Sequence, residues 1–243
     1  MSNIKLSNKI FELGLTSKEL SIYAYLCSLP NDYPMFSGTA IKVKQSTIAQ
    51  KCGIKSVQTV AKVINSLAEK GHVIPLKRSV KDNGYKGTYI YEVKKLPVND
   101  SFFFVERRVF GRLGLVPRQI MIYLFICKSF SIRLMDSWNS YNDIAEQTGM
   151  KRETVVKTVS ELEDMKLIVK SKRKSKGNKR VYVDNHYQII FYVQGTFKGK
   201  KIVRLHSRCS RTSSLYLNKP QNHNYNNTKV IKCQVVFLVR GSP

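Results

Sequence analysis

The sequence predicts an α+β, mainly helical protein made of two tandem copies of one domain. Each copy has about three helices followed by a β-hairpin, and a basic C-terminal extension follows the second copy. Three observations predict this. The first is repetition: Gly14-Leu15-Thr16-Ser17-Lys18-Glu19-Leu20-Ser21-Ile22-Tyr23-Ala24-Tyr25-Leu26-Cys27 recurs 100 positions later as Gly114-Leu115-Val116-Pro117-Arg118-Gln119-Ile120-Met121-Ile122-Tyr123-Leu124-Phe125-Ile126-Cys127. A second block, Ile48-Ala49-Gln50-Lys51-Cys52-Gly53-Ile54, returns as Ile144-Ala145-Glu146-Gln147-Thr148-Gly149-Met150. The second observation is an apolar stripe at helical spacing, Val60, Ile64 and Leu67, whose counterparts Val155, Val159 and Leu162 each lie 95 positions on. The third is that each stripe runs into two strand-like segments joined by a turn. A repeat of this length is a duplicated domain rather than a solenoid of short units.

In the first copy, Ile4 to Leu13 reads as a short helix. Thr16-Ser17-Lys18-Glu19 has capping-box spacing and opens an apolar helix to about Leu29. Pro30 and Pro34 break it within a polar loop. Ser46 is a good N-cap for a short helix through Lys51, and Gly53 takes the left-handed turn after it. A longer helix begins near Ser56 and stops at Gly71. His72 to Val80 and Thr88 to Val93 are strand-like, with Asp82-Asn83-Gly84 as the turn.

The second copy repeats the order. Pro117 suits the first helical position, and the helix runs to about Phe130. Ser140 caps Tyr141 to Gln147, Gly149 takes the turn, and the next helix carries the second stripe. A hairpin follows, Ile168 to Lys172 and Arg180 to Val183, through Lys176-Gly177-Asn178-Lys179. The division is 1–96 for the first domain, 97–107 for a linker, 108–190 for the second domain and 191–243 for a basic extension, partly disordered or β. In the linker, Pro97-Val98-Asn99-Asp100 is a turn, and Phe102-Phe103-Phe104 is apolar enough to pack between the domains. Trp138 falls in the loop before the second motif and reads as a packing residue.

The chain has 243 residues, enough for two domains each burying its own core, and 42% apolar content is globular. Its formal net charge is +26, from 42 Lys and Arg against 16 Asp and Glu. That imbalance opposes compaction, and a polyanion partner compensates it: nucleic acid first, an anionic membrane surface second. The N-terminus is polar and lacks a secretory signal, and no apolar run approaches the ~20 residues of a membrane span. The five cysteines (Cys27, Cys52, Cys127, Cys209, Cys233) are scattered, with no CxxC. They suggest buried thiols in a reducing compartment. Cys27 and Cys127 hold equivalent positions on apolar helices and read as core. A cytoplasmic location is expected, on the nucleoid in a prokaryote.

Short helix, glycine turn, longer helix and hairpin together resemble the winged helix-turn-helix domain. The likeness is carried by Ser46-Thr47-Ile48-Ala49-Gln50-Lys51-Cys52-Gly53-Ile54 with Ala61 to Gly71, and by Tyr141-Asn142-Asp143-Ile144-Ala145-Glu146-Gln147-Thr148-Gly149-Met150 with Val155 to Ile168. It covers roughly residues 10–95 and 108–185, so the fold implied is two tandem winged helix-turn-helix domains. A buried alanine, Ala49 or Ala145, lets the two helices cross closely. In such domains the second helix enters the major groove of double-stranded DNA and the wing touches the backbone or minor groove.

Base reading needs polar side chains on the first turns of that helix, away from its core stripe. Subtracting the stripes leaves Lys55, Ser56, Gln58, Thr59 and Lys62 in the first copy, and Lys151, Arg152, Thr154, Lys157 and Thr158 in the second. Gln58 suits adenine and Arg152 suits guanine, two bidentate geometries. For the DNA backbone the first wing offers Lys77, Arg78, Lys81 and Lys86. The second offers Lys166, Lys170, Lys172, Arg173, Lys174, Lys176, Lys179 and Arg180 without an acid among them.

After Asp184 the chain has no Asp or Glu. Gln188 to Val193 and Val230 to Val239 read as strands, with a flexible basic arm between them. The abrupt composition shift also fits an altered reading frame or a cloning remnant. The spacing of His206, Cys209, His223 and Cys233 fits no familiar zinc site. There is no P-loop, GxSxG, HExxH or paired-carboxylate pattern, so no enzyme activity, metal or cofactor is expected.

Three functions fit in this order. The first is a transcriptional regulator reading two adjacent, unlike half-sites of double-stranded DNA. The second rests on a similarity in architecture to plasmid or mobile-element replication initiators built from tandem winged helices, which bind origin repeats and recruit host replication proteins. The third is a protein-docking winged helix, against which the net charge argues. Host replication or transcription proteins are further partners these readings imply. Oligomeric state stays open between monomer and homodimer.

Overall fold

The computed structural model of the chain describes residues 3–30, 39–80, 86–99, 101–131, 136–174, 182–197 and 200–206. Residues 1–209 form one compact unit. The turn Asp82-Asn83-Gly84, the turn at 176–179, the strand expected over Val230 to Val239 and most of the basic arm lie outside the described residues, as do Cys209, His223 and Cys233.

Each repeat builds the same body. In the first, helix α1 (Ser17–Cys27) opens with the expected capping box, the Thr16 and Glu19 side chains each bonded to the other's backbone N–H. Strand β2 (Thr39–Lys42), helix α2 (Gln45–Lys51), helix α3 (Val57–Glu69) and strands β3 (Val73–Val80) and β4 (Lys86–Val93) follow. The second repeat gives helix α4 (Pro117–Lys128), strand β6 (Ser137–Asn139), helices α5 (Tyr141–Thr148) and α6 (Arg152–Asp164), and strands β7 (Ile168–Lys174) and β8 (Tyr182–Ile189). The sheets match, β2-β4-β3 in one and β6-β8-β7 in the other, all antiparallel. Each hairpin is therefore a three-stranded wing, with the strand before the helix-turn-helix added at one edge. A further pair, β9 (Phe191–Phe197) and β10 (Lys200–His206), is antiparallel, so the strand expected over Gln188 to Val193 is divided between β8 and β9, and residues 200–206, expected in the flexible arm, form a strand.

The helices bury what their patterns dictate. The faces of α3 and α6 that carry Val60, Ile64 and Leu67, and Val155, Val159 and Leu162, are fully inside. Helices α1 and α4 are apolar nearly all round, and residues 19–26 of one and 119–127 of the other are buried. They can be so because each packs on its own repeat and also on the other. The cysteine expectation holds for Cys127, which is buried, while Cys27 is half-buried against the same core. Burial pushes the thiols of Cys52 and Cys127 far above their usual range, which keeps them unreactive.

Four other sequence expectations change in this part of the chain. Residues 4–13 are not one helix: strand β1 (Asn3–Ser7) leads into a 3-10 turn (Asn8–Phe11). The short helix before Gly53 starts at Gln45 with Lys44 as N-cap, not at Ser46. Residues 102–106, expected in the linker, are strand β5 (Phe102–Glu106), followed by a 3-10 turn at Arg107–Val109. Trp138 is on β6 and 48% exposed rather than packed in a loop.

Strands β1 and β5 explain how the repeats are joined. They pair antiparallel, Asn3 facing Glu106, Lys5 facing Phe104 and Ser7 facing Phe102. Both strands hold the same place in their repeats, so exchanging the repeats maps this pairing onto itself. The aromatic contacts agree. Tyr25 of α1 meets Phe110 at 5.5 Å between ring centroids, and Phe125 of α4 meets Phe11 at 5.4 Å, the same contact made twice. This is the reciprocity of an isologous dimer, built within one chain. The reciprocity is not exact. A Cβ on Gly53 would strike the Leu115 carbonyl, whereas one on Gly149 would meet nothing within 4 Å.

Candidate nucleic-acid interface

Helices α3 and α6 are held to the core by polar locks of different design. In the first repeat Glu19 of α1 is buried and accepts hydrogen bonds from Ser66 Oγ (2.7 Å) and Lys70 Nζ (2.9 Å) at the far end of α3. Burial alone would raise its pKa. Those bonds, with the backbone N–H of Thr16, overcome that and hold it at about 2. In the second repeat Gln119 takes the place of Glu19, and the acid has moved to α6. Glu161 accepts from Arg118 (2.8 Å) and Gln119 (2.7 Å) of α4.

With their inner faces fixed, the outer faces are those the stripes predicted, with one correction. Lys55, Gln58 and Lys62 are exposed at the start of α3, and Ser56 and Thr59 partly so. Ser56 is the N-cap residue but makes no cap bond; its hydroxyl donates to the Gln58 carbonyl oxygen and orients that amide. On the second head Lys151, Arg152 and Lys157 are exposed and Thr154 partly so. The Arg152 guanidinium lies 5.9 Å from the Tyr141 ring of α5. Thr158 is the correction: it is fully buried, and its hydroxyl donates to the Thr154 carbonyl at 2.7 Å. It takes the place of Val63 in the first repeat, a position turned toward the core, so it reads no base.

Two further residues face outward on the first turns beyond those the sequence pointed to. Val57 is 41% exposed. Its spacing of three from Val60 gives it the look of the start of the buried stripe. Glu153 is exposed one position after Arg152, an acid beside the cations, amides and hydroxyls expected to read bases. By the 95-residue offset, Val57 corresponds to Arg152 and Gln58 to Glu153. The two heads thus present different chemistry at the same two positions.

On the first wing Arg78 is exposed with its guanidinium 4.3 Å over the Tyr89 ring. Lys77 lies on β3 and Lys86 on β4, while Lys81 lies outside the described residues. On the second, Lys172, Arg173 and Lys174 lie along the end of β7, and Lys176, Lys179 and Arg180 lie outside the described residues. Lys170 differs from the phosphate contact expected of it. It is half-buried, with Nζ 3.6 Å from the Glu163 carboxylate and donating to Tyr141 Oη at 3.2 Å. Burial lowers its pKa, but these partners outweigh burial and raise it. It braces β7 against α5 and α6 instead of reaching out. Ala49 is buried where α2 crosses α3, as expected, while Ala145 is only partly covered.

Among the described residues no group of three His, Cys, Asp or Glu side chains could hold a metal ion, and no helix is long and apolar enough to cross a membrane.

A family model described as a helix-turn-helix domain matches residues 13–73, from the approach to α1 through α3. No curated protein matches the sequence. Among solved structures, one described as the crystal structure of Pi initiator protein in complex with iteron DNA is similar at 12% identity and a TM-score of 0.46. The match covers 76% of this chain and 95% of that one, a likeness too distant to bear on function. The matched helix-turn-helix, its duplicate and the two three-stranded wings give this chain the fold of two tandem winged helix-turn-helix domains.

Proposed function

We propose that the chain is a sequence-specific double-stranded DNA-binding protein that acts as the replication initiator of a plasmid or other mobile element. The observation that carries the DNA-binding part of this reading is the reciprocal seam between two unlike heads; the likeness of the tandem architecture to plasmid initiators favours the initiator. The seam relates α3 to α6 by an approximate two-fold, so their half-sites run in opposite directions, about one helical turn apart. The heads differ at Val57 and Arg152 and at Gln58 and Glu153, so the half-sites are unlike. Val57 suits a thymine methyl, Gln58 adenine, Arg152 guanine and Glu153 the amino group of cytosine. Such a composite site has a direction. Copies of it set in one direction along a DNA form direct repeats, the arrangement an origin array uses, each bound by one chain. Host replication proteins are the partners this reading implies.

A transcriptional regulator is the second reading. It would use the same heads on one or two sites near a promoter, and the unlike reading faces suit it equally. Mapping bound sites on the replicon or chromosome that encodes the protein separates the two. The initiator reading expects an array of direct repeats beside an AT-rich segment. One or two promoter sites would replace it with the regulator.

The division of labour within the protein is tested by substitution. Replacing Lys172, Arg173, Lys174 and Lys176 with Gln together should weaken binding to all sequences and lower the salt slope by about one unit for each phosphate no longer neutralised. Gln58→Ala or Arg152→Ala should instead relax base preference at one position, by about 1–3 kcal/mol of discrimination. Equal effects of both kinds on specific and random DNA would overturn the groove assignment.

A further inference from the structure

Two phenylalanines face solvent where the fold does not require them. Along β5 the side chains alternate: Phe103 and Val105 are buried, while Phe102 and Phe104 lie on the opposite face, 36% and 42% exposed. The sequence placed all three rings of 102–104 between the domains, but only Phe103 is there. Strand β1 serves as an internal control. It holds the same place in the first repeat and has the same alternation of burial, yet it carries Asn3 and Lys5 where β5 carries Phe102 and Phe104. A strand with one wet face takes polar residues on that face. Strand β1 shows that the ribbon folds with them, so the two rings in β5 answer to something other than folding.

Their surroundings indicate what that is. The rings are 5.4 Å apart, edge to face, and Lys5 Nζ lies 3.7 Å from the centroid of Phe102. Lys5 also sits directly across the ribbon from Phe104. Lys9 and Arg107, just beyond the strands, are exposed. The single acid on the ribbon, Glu106, is buried and bound by Arg108 (2.6 Å). The rim is therefore basic and suits a polyanion. The apolar area is small. Two rings exposed to this degree present on the order of 150 Å², well below the ~800 Å² per partner of a stable protein interface. It is the size of one or two nucleobases.

We propose that Phe102 and Phe104, with Lys5, form a stacking platform for the unpaired bases of single-stranded nucleic acid. Bases within a duplex are already stacked on their neighbours and present no open face to these rings. An unpaired base offers its face to a ring whatever its identity, and Lys5 supplies a cation to the adjoining phosphate. This inference stands apart from the duplex-binding reading, because the platform is not on α3, α6 or either wing.

The test uses the full chain, a labelled 20-nucleotide oligothymidine and a labelled duplex bearing the site the chain selects from a random library, at about 0.3 M salt where non-specific phosphate attraction is screened. Phe102→Ala with Phe104→Ala should weaken oligothymidine binding by about tenfold or more per ring and leave duplex binding within about twofold. Phe104→Trp should retain the single-strand affinity. Unchanged oligothymidine binding in the double variant would overturn the platform. So would a parallel loss of duplex binding and thermal stability, or loss of self-association with single-strand binding intact. Absence of duplex binding by the unsubstituted chain would instead overturn the function proposed above and leave this measurement readable.

Discussion

Gly53 and Gly149 hold the same place in the two helix-turn-helix motifs, with φ of +63° and +65°. Both turns are closed by the same hydrogen bond, Ile54 N–H to Ala49 O at 2.9 Å and Met150 N–H to Ala145 O at 3.1 Å. Their surroundings differ, because only Gly53 abuts the other repeat. Gly149→Ala should therefore cost about 1–2 kcal/mol, the left-handed penalty alone. Gly53→Ala carries that penalty plus a collision with the Leu115 backbone, and should cost several kcal/mol in urea unfolding. Equal costs would mean that the contact at Leu115 does not exist. A similar comparison holds after the reading helices. Gly71 and Lys166 close equivalent turns with the same bonds, His72 N–H to Leu67 O at 2.9 Å and Leu167 N–H to Leu162 O at 3.0 Å. Lys166 does so at φ +57°, alone among non-glycine described residues in positive φ. Lys166→Gly should stabilise the protein by about 1 kcal/mol, measured by the same unfolding experiment.

At the scale of elements, each reading helix is fixed by a lock that titrates. The Glu19 carboxylate is charged in the fold down to about pH 2, against 4.5 for the free group. Its contribution is therefore complete above about pH 4.5 and is lost as pH falls from there toward 2. The lost stability is on the order of 3 kcal/mol. Glu19→Gln should lower stability at neutral pH and remove most of the dependence between pH 4.5 and 2. An unchanged pH profile would remove the lock between α1 and α3. Glu161 in the second repeat is also lowered; burial works against this, and the hydrogen bonds from Arg118 and Gln119 overcome it. The acid limb therefore persists in part.

The six helices were legible in the sequence because caps, stripes and glycine turns are local signals. Five strands among the described residues were not: β10 (Lys200–His206) lies where a flexible arm is expected, and the other four are short. Strands β1, β2, β5 and β6 are three to five residues long, and their partners lie far away in sequence, β1 with β5 and β2 with β4. A run that short carries no periodicity of its own. The same limit explains the site. Stripe subtraction placed the outer face of α3 and most of α6, but not Thr158, whose inward turn depends on its match to Val63, and not Lys170, whose partners come from α5 and α6.

At the scale of the molecule, duplication gave two bodies with one core design, and the seam through β1 and β5, α1 and α4 joins them as a dimer interface would. Core positions stayed alike while outer positions diverged, so the pair is symmetric in scaffold and asymmetric in what it presents. A chain of this kind needs no partner copy to hold two reading heads at a set spacing, and its net charge of +26 predicts binding that weakens steeply with salt. The most direct test of the central claim is selection of bound duplexes from a random DNA library by the purified chain, with the recovered sequences read out. One enriched site is expected, made of two unlike half-sites in opposite orientation, with centres about one helical turn apart. Recovery of a single half-site, of two half-sites at variable spacing, or of no enriched sequence would contradict it.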